Sequence, residues 1–211
     1  MQLIGMLDSP YVRRVAVSLQ LLGLPFEHHA VSVFRTFDQF RAINPVVKAP
    51  TLVCDDGEVL MDSTLILDYA QVLAAGARPL LPPTLPQRQH ALHAVGLALA
   101  VCEKSIQIVY EHELRPAEKR HDPWLARITG QLLDGCAGLD AALRRHPLAT
   151  GAGTIDQAGI STAVAWTFIQ AMVPQVVPAA DYPALVAFTA QAETLLAFRA
   201  APHGLGTVSA A

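Results

Sequence analysis

The chain opens with an apolar run of strand length, Gln2 to Leu7, which stops at Asp8-Ser9-Pro10. Ser9 is placed as a helix N-cap and Pro10 at the first helical position, where its missing N–H costs nothing. Val12, Val15, Ala16, Leu19 and Leu22 then recur at helical spacing, and Gly23 is placed as a C-terminal stop. Phe26 to Val33 reads as a second strand, so the opening is a βαβ unit with a parallel strand pair. Further on, two short apolar runs, 51–54 and 58–61, flank Asp55-Asp56-Gly57, an Asp-Gly hairpin signal. A helix from about Ser63 carries Ile66, Leu67, Ala70 and Leu73 and stops near Gly76. Residues 1–76 therefore predict a compact α/β domain on a mixed four-stranded sheet, βαβ, then a linking segment, then ββα.

Residues 77–86 hold four prolines, so no helix can continue through them, and they read as a domain linker. Beyond it strand signals vanish. Gln87 to about Leu114 is one long helical stretch. Asp122 and Pro123 restart the pattern, with Leu125, Ile128, Leu132, Cys136, Leu139 and Leu143 as its buried stripe. A third helix runs from about Gln157 to Val173, and Asp181-Tyr182-Pro183 opens the last helical segment. Residues 87–211 are predicted to form an all-α bundle.

Composition narrows the function. Hydrophobic residues make up 52% of the chain and charged ones 16%, which excludes a disordered or solvating protein. The formal net charge is −3, and the loose basic cluster at Arg115, Lys119, Arg120 and Arg127 is interrupted by Glu118 and Asp122. Neither nucleic acid nor an anionic membrane is indicated as a partner. Cys54, Cys102 and Cys136 are odd in number and widely spaced, which suits a reducing compartment and argues against a disulfide framework or a zinc site. The N-terminus lacks a basic leader pattern, and the longest apolar run, Ala94 to Cys102, is short of a membrane span. A cytoplasmic protein is expected. His90 and His93 lie three apart with no further ligand at metal spacing, and read as surface histidines.

The most telling stretch is Asn44-Pro-Val-Val-Lys-Ala-Pro-Thr-Leu-Val53. A proline directly before an apolar strand belongs at the strand's first residue or edge. With a cis Ala49–Pro50 bond, Ala49 would turn its N–H and C=O outward, where they could pair with a peptide backbone as an added strand does. An ordinary trans loop proline is the alternative. The order of features decides between them. A first strand, Ser-Pro opening helix 1, the Lys-Ala-Pro stretch, "DGEVLMDSTLILDYA", a proline-rich linker and a helical domain together resemble the cytosolic glutathione S-transferase family over essentially the whole chain.

That resemblance implies a thioredoxin-like first domain, a cis-proline at Pro50, and glutathione as co-substrate with no metal. It implies that the Ala49 backbone pairs with the cysteinyl moiety and that Asp62-Ser63 holds the γ-glutamyl end. Chemistry agrees with these roles: a helix N-terminus at Ser63 suits a carboxylate, and Asp62 can pair with an ammonium. Lys48 is a candidate for the glycyl carboxylate by charge. Ser9 sits where the family places its mechanistic residue, and a hydroxyl at a helix N-terminus can donate to a thiolate. Tyr11 is the runner-up, and Tyr11, Ile106 and Tyr110 are candidates to line an acceptor site for a small apolar electrophile. The family usually pairs two-fold, so a homodimer is expected. The rival readings are a glutathione-dependent disulfide or peroxide reductase and a non-catalytic interaction module of the same fold. One departure is Asp156-Gln-Ala-Gly159, where a helix cap keeps its first acid but has glycine where the reciprocal acid stands.

Overall fold

The computed structural model describes residues 1–209 and divides into two compact units, residues 1–80 with the segment from Thr194 onward, and residues 81–193. The first unit holds a four-stranded sheet in the order β2-β1-β3-β4. Its strands are β1 (Gln2–Ile4), β2 (Glu27–His29), β3 (Thr51–Val53) and β4 (Val59–Met61). β1 pairs parallel to β2, with Leu3 beside His28, and antiparallel to β3, with Leu3 beside Leu52. The mixed sheet expected from the sequence is thus formed, with shorter strands. β2 ends at His29 because the chain curls away there: the Val31 N–H returns to the His29 carbonyl, and the Ser32 hydroxyl accepts from the N–H groups of Phe34 and Arg35.

Three helices accompany the sheet: α1 (Pro10–Leu21), α2 (Phe37–Ile43) and α3 (Ser63–Leu73). α1 ends as its sequence predicts. Gly23 takes φ +67°, its N–H bonds Gln20, and the Leu24 N–H reaches back to Leu19, a closing pattern that glycine permits without strain. α2 lies inside what reads as a linking segment, and Phe40 is its one fully buried side chain. Leu3, Ile4, Leu7, Val12, Val15, Leu19, Leu52 and Ile66 are almost wholly buried and form the core. Each contributes about 1.5–3 kcal/mol by leaving water.

Gly5 fixes where these parts meet. It has φ +139°, and a Cβ there would lie 2.6 Å from Val12 Cγ2 and 3.2 Å from the Ala49 Cβ. Only glycine lets the end of β1, the first turn of α1 and the Ala49–Pro50 turn come this close. That peptide bond is cis.

The closing segment also belongs to this unit, although the sequence reading places it with the helical half. A helix, here labelled α8 (Leu196–Ala200), packs on α1. Arg13 Nε donates to the Ala201 carbonyl at 2.7 Å, and its guanidinium lies over the Phe198 ring. A buried arginine in α1 therefore holds the returning chain.

The second unit contains α4 (Leu85–Glu113), α5 (Asp122–Arg145), α6 (Gln157–Met172) and α7 (Pro183–Ala192). α4 packs against both α5 and α6. It is long and apolar enough by length and composition to cross a membrane, and here Ala91, Ala94, Ala98, Val101 and Cys102 face the helical core. Gly135 permits the α4–α5 approach, since a Cβ would meet Val101 at 2.5 Å. α6 is capped by Asp156, whose carboxylate accepts from the Gly159 N–H at 3.0 Å. A side chain at Gly159 would meet Ile155 at 2.8 Å and Phe188 at 3.3 Å, so the missing reciprocal acid has a steric cause. The last helical segment, expected to open at Asp181-Tyr182-Pro183, forms as α7 from Pro183 and is followed by the separate α8. Asp140, buried on α5, accepts from the Ala184 and Leu185 N–H groups and caps α7 from outside, while also pairing with Arg144.

Candidate active site

Ser9 caps α1 from an extended backbone, and its Oγ accepts from the Val12 N–H across 3.5 Å. Ordinary N–H···O bonds are 2.7–3.2 Å, so this hydroxyl is only loosely engaged by its own helix. It is half-buried and stands at the positive end of the helix dipole. The neighbouring Asp8 is half-buried too, and burial raises its carboxyl above the usual value of 3.8, with His203 and Arg35 opposing that rise.

The Ala49 turn is built by a buried polar side chain. Asn44, 3% exposed, donates to Thr51 Oγ1 at 2.9 Å and accepts from the Val46 N–H at 3.0 Å. Thr51 Oγ1 in turn donates to the Lys48 carbonyl at 2.7 Å. Within this loop Val47 takes φ +53°, a conformation that a β-branched residue adopts only where the surroundings impose it. Among the described residues the N–H and C=O of Ala49 have no hydrogen-bond partner in the chain. Lys48 is exposed.

At the start of α3 the two residues divide the work differently from the simplest sequence reading. Asp62 is the cap: its carboxylate accepts from the Thr64 N–H at 2.9 Å, and its backbone has φ +72°. Ser63 is the first helical residue and is buried. Its Oγ accepts from Arg14 Nη1 at 3.1 Å, and Arg14 also donates to Thr64 Oγ1 at 3.3 Å. A fixed guanidinium therefore adjoins the helix N-terminus, and the Ser63 hydroxyl keeps its proton to donate. The arrangement can hold a carboxylate by N–H groups, a hydroxyl and a nearby positive charge.

Arg14 and Asn44 are the residues that sequence reasoning missed. The available signal was an Arg-Arg pair inside an otherwise apolar helix with no acid in its first turn. Of the expected acceptor residues, Tyr11 is on α1 of the first unit and half-buried. Ile106 and Tyr110 are on α4 of the second unit, half-buried and exposed respectively. Among the described residues no group of His, Cys, Asp and Glu is placed to hold a metal.

Residues 3–78 match the family model of the glutathione S-transferase N-terminal domain. This part of the chain is a glutathione S-transferase N-terminal domain. The match spans the β1–α1 junction, the Ala49–Pro50 turn and the α3 start described above. A glutathione transferase family member from Pseudomonas fluorescens Pf-5, solved with bound glutathione, is 28% identical with a TM-score of 0.79, covering 95% of this chain and 97% of that one. A glutathione S-transferase from Methylobacterium radiotolerans, in complex with glutathione sulfonate, is 25% identical with a TM-score of 0.85, covering 94% and 92%. The uncharacterized GST-like protein YibF of Escherichia coli K12 is 26% identical over 66% of this chain and 74% of its own length. Plant transferases match over about half of their length. These likenesses fit the thioredoxin-like fold of the first unit and the helical build of the second.

Proposed function

We propose that this transferase joins the glutathione thiolate to a small apolar electrophile. The observation that carries the reading is the loosely engaged Ser9 hydroxyl at the N-terminus of α1, beside the Gly5–Val12–Ala49 junction. Free glutathione is mostly a thiol at neutral pH, so catalysis needs its thiolate stabilised. Ser9 donates to that sulfur while the helix dipole adds favourable potential; it does not itself attack. The Ala49 backbone pairs with the cysteinyl moiety, Lys48 meets the glycyl carboxylate, and Asp62 meets the γ-glutamyl ammonium. Ser63, backed by Arg14, receives the γ-glutamyl carboxylate.

The functional protein is a cytoplasmic homodimer in this reading. Leu65, Tyr69, Val72 and Leu73 form an exposed apolar face on α3, and Val72 is 74% exposed. Such a face on a small domain is suited to burial against a second copy. A monomeric mass at micromolar concentration would contradict this part.

The test of the activity has two stages. Retention on immobilised glutathione, released by free glutathione, separates a binding protein from a bare fold. Loss of thiol against a panel of soft electrophiles, beside a panel of mixed disulfides and peroxides, then separates conjugation from reduction. Turnover confined to disulfides or peroxides would replace the proposed reaction with the reductase one.

A further inference from the structure

After α8 the chain runs back across the first unit as a short strap, residues 202–209. α8 itself is held by α1: Gln20 Nε2 donates to the Ala197 carbonyl at 3.1 Å, in addition to the Arg13 bond to Ala201. Past that anchor Pro202, Leu205, Gly206 and Thr207 are exposed, and Gly204 has φ +138°, a conformation that favours glycine. The strap then closes at two points. The Ser209 N–H donates to the Ala200 carbonyl at 2.9 Å, and the Val208 N–H donates to Nδ1 of His28 on β2 at 3.1 Å.

The other nitrogen of the same ring, Nε2, donates to the Gly5 carbonyl at 2.8 Å. A carbonyl only accepts and an N–H only donates, so the two bonds together require the neutral ring with its proton on Nε2. A second proton would sit on Nδ1 and face the Val208 N–H, donor against donor. Gly5 is the junction residue, where a Cβ would meet Val12 at 2.6 Å and Ala49 at 3.2 Å. One imidazole therefore joins the strap to the residue beside the Ala49 turn.

We infer that His28 is a positioning residue and a proton-sensitive latch: its neutral ring docks the strap 202–209 and steadies Gly5 beside the Ala49 turn, and protonation releases the strap. The strap rests on the geometry above; its coupling to a ligand rests on the proposed glutathione site.

The surrounding charges set the direction. β2 carries Glu27 and His29, the loop after it Arg35, the β1–α1 corner Asp8 and the strap His203, while β1 has no titratable side chain over Gln2–Ile4. Burial lowers the His28 pKa, the Gly5 carbonyl opposes that, and His29 adds to the lowering. A released ring titrates near the ordinary 6.5 and the docked ring below it, so docking is strongest above about 6.5 and weakens as the pH falls through the docked ring's lower value.

Amide exchange at Ser209 in the full chain, corrected for the intrinsic rate at each pH, reports the strap. In wild type, opening should become up to about tenfold more frequent between pH 7.5 and 5.5, since the released ring takes up the proton first. His28→Gln keeps a donor for Gly5 but has no ring to protonate, and Val208→Pro removes only the N–H that the strap offers. Both variants should show lower Ser209 protection at pH 7.5 and a nearly level profile.

S-methylglutathione, which has no thiol to ionise, reads the coupling. It should raise Ser209 protection in wild type at pH 7.5, because two events that favour each other do so reciprocally. Its affinity should fall severalfold toward pH 5.5 in wild type and stay level in His28→Gln. Equal Ser209 protection at both pH values in wild type, or wild-type protection in Val208→Pro, would overturn the latch. The same fall in affinity in His28→Gln as in wild type, or no fall in either, would overturn the positioning role. Absence of S-methylglutathione binding at every pH would instead remove the glutathione reading, and Ser209 protection would still decide the strap.

Discussion

The Arg14 guanidinium donates to the Ser63 hydroxyl across 3.1 Å, and both residues are buried, at 3% and 4% exposure. α1 therefore supplies a fixed positive charge to the start of α3, in addition to the partial charge of the helix terminus. A carboxylate bound there meets a preorganised site, because the donors are already held in place.

Replacing Arg14 should affect both folding and binding. Arg14→Gln removes the charge while keeping a polar head, and leaves Ser63 and Thr64 with weaker donors. Loss of a hydrogen bond to a charged group is worth about 1.5–3 kcal/mol. Glutathione affinity should fall about tenfold or more by calorimetry, and the melting temperature should drop. A variant that melts lower but binds glutathione as tightly as wild type would confine Arg14 to the fold.

Asp62 can be tested with its cap kept intact. Asparagine caps a helix as well as aspartate does and tolerates a positive φ, so Asp62→Asn should leave the melting temperature nearly unchanged. It removes only the charge that would face an ammonium. Glutathione affinity should fall about tenfold, while an analogue lacking the γ-glutamyl amino group should bind both proteins equally. Equal affinity of both proteins for glutathione itself would remove Asp62 from the site.

His28 gives the first unit a pH dependence of definite sign. Its Nε2–H donates to the Gly5 carbonyl at 2.8 Å and its Nδ1 accepts from the Val208 N–H at 3.1 Å, an arrangement that only the neutral ring provides. Burial lowers its pKa below the ordinary 6.5. On acidification the unfolded chain takes up this proton first, so stability falls as the pH drops below about 6.5 and is level above it with respect to this group. Chemical denaturation of wild type and His28→Gln from pH 7.5 to 5.5 should show a shallower decline in the variant. Parallel curves would mean that the ring is protonated equally in both states.

Much of this was readable from the chain because local rules and tertiary demands coincide in it. Ser9-Pro10 and Gly23 mark α1 by cap and stop, the Asp-Gly turn marks the β3–β4 hairpin, and the prolines of 77–86 mark the passage between units. What escaped is what only tertiary packing decides. α2 buries a single full side chain, Phe40, so it leaves no helical stripe to read. Arg13 and Arg14 look like a polar break in an apolar helix until α8 and α3 supply their acceptors. Asp140 caps a helix more than forty residues away, and Gly159 replaces an acid because Ile155 and Phe188 occupy its space. His90 and His93 read as surface residues, and both are exposed.

The ultraviolet absorbance of the thiolate of enzyme-bound glutathione, followed against pH in wild type and Ser9→Ala, tests the central claim most directly. If Ser9 donates to the sulfur, the variant's titration should move to higher pH by about one to two units, the equivalent of about 1.5–3 kcal/mol for one charge-assisted bond. Glutathione affinity should change little, because Ala49, Asp62 and Ser63 hold the rest of the tripeptide. The variant should lose little stability, since the cap bond it removes is long and such caps are worth about 1 kcal/mol even when well formed. Superimposable titrations, with both proteins folded and saturated, would contradict the account.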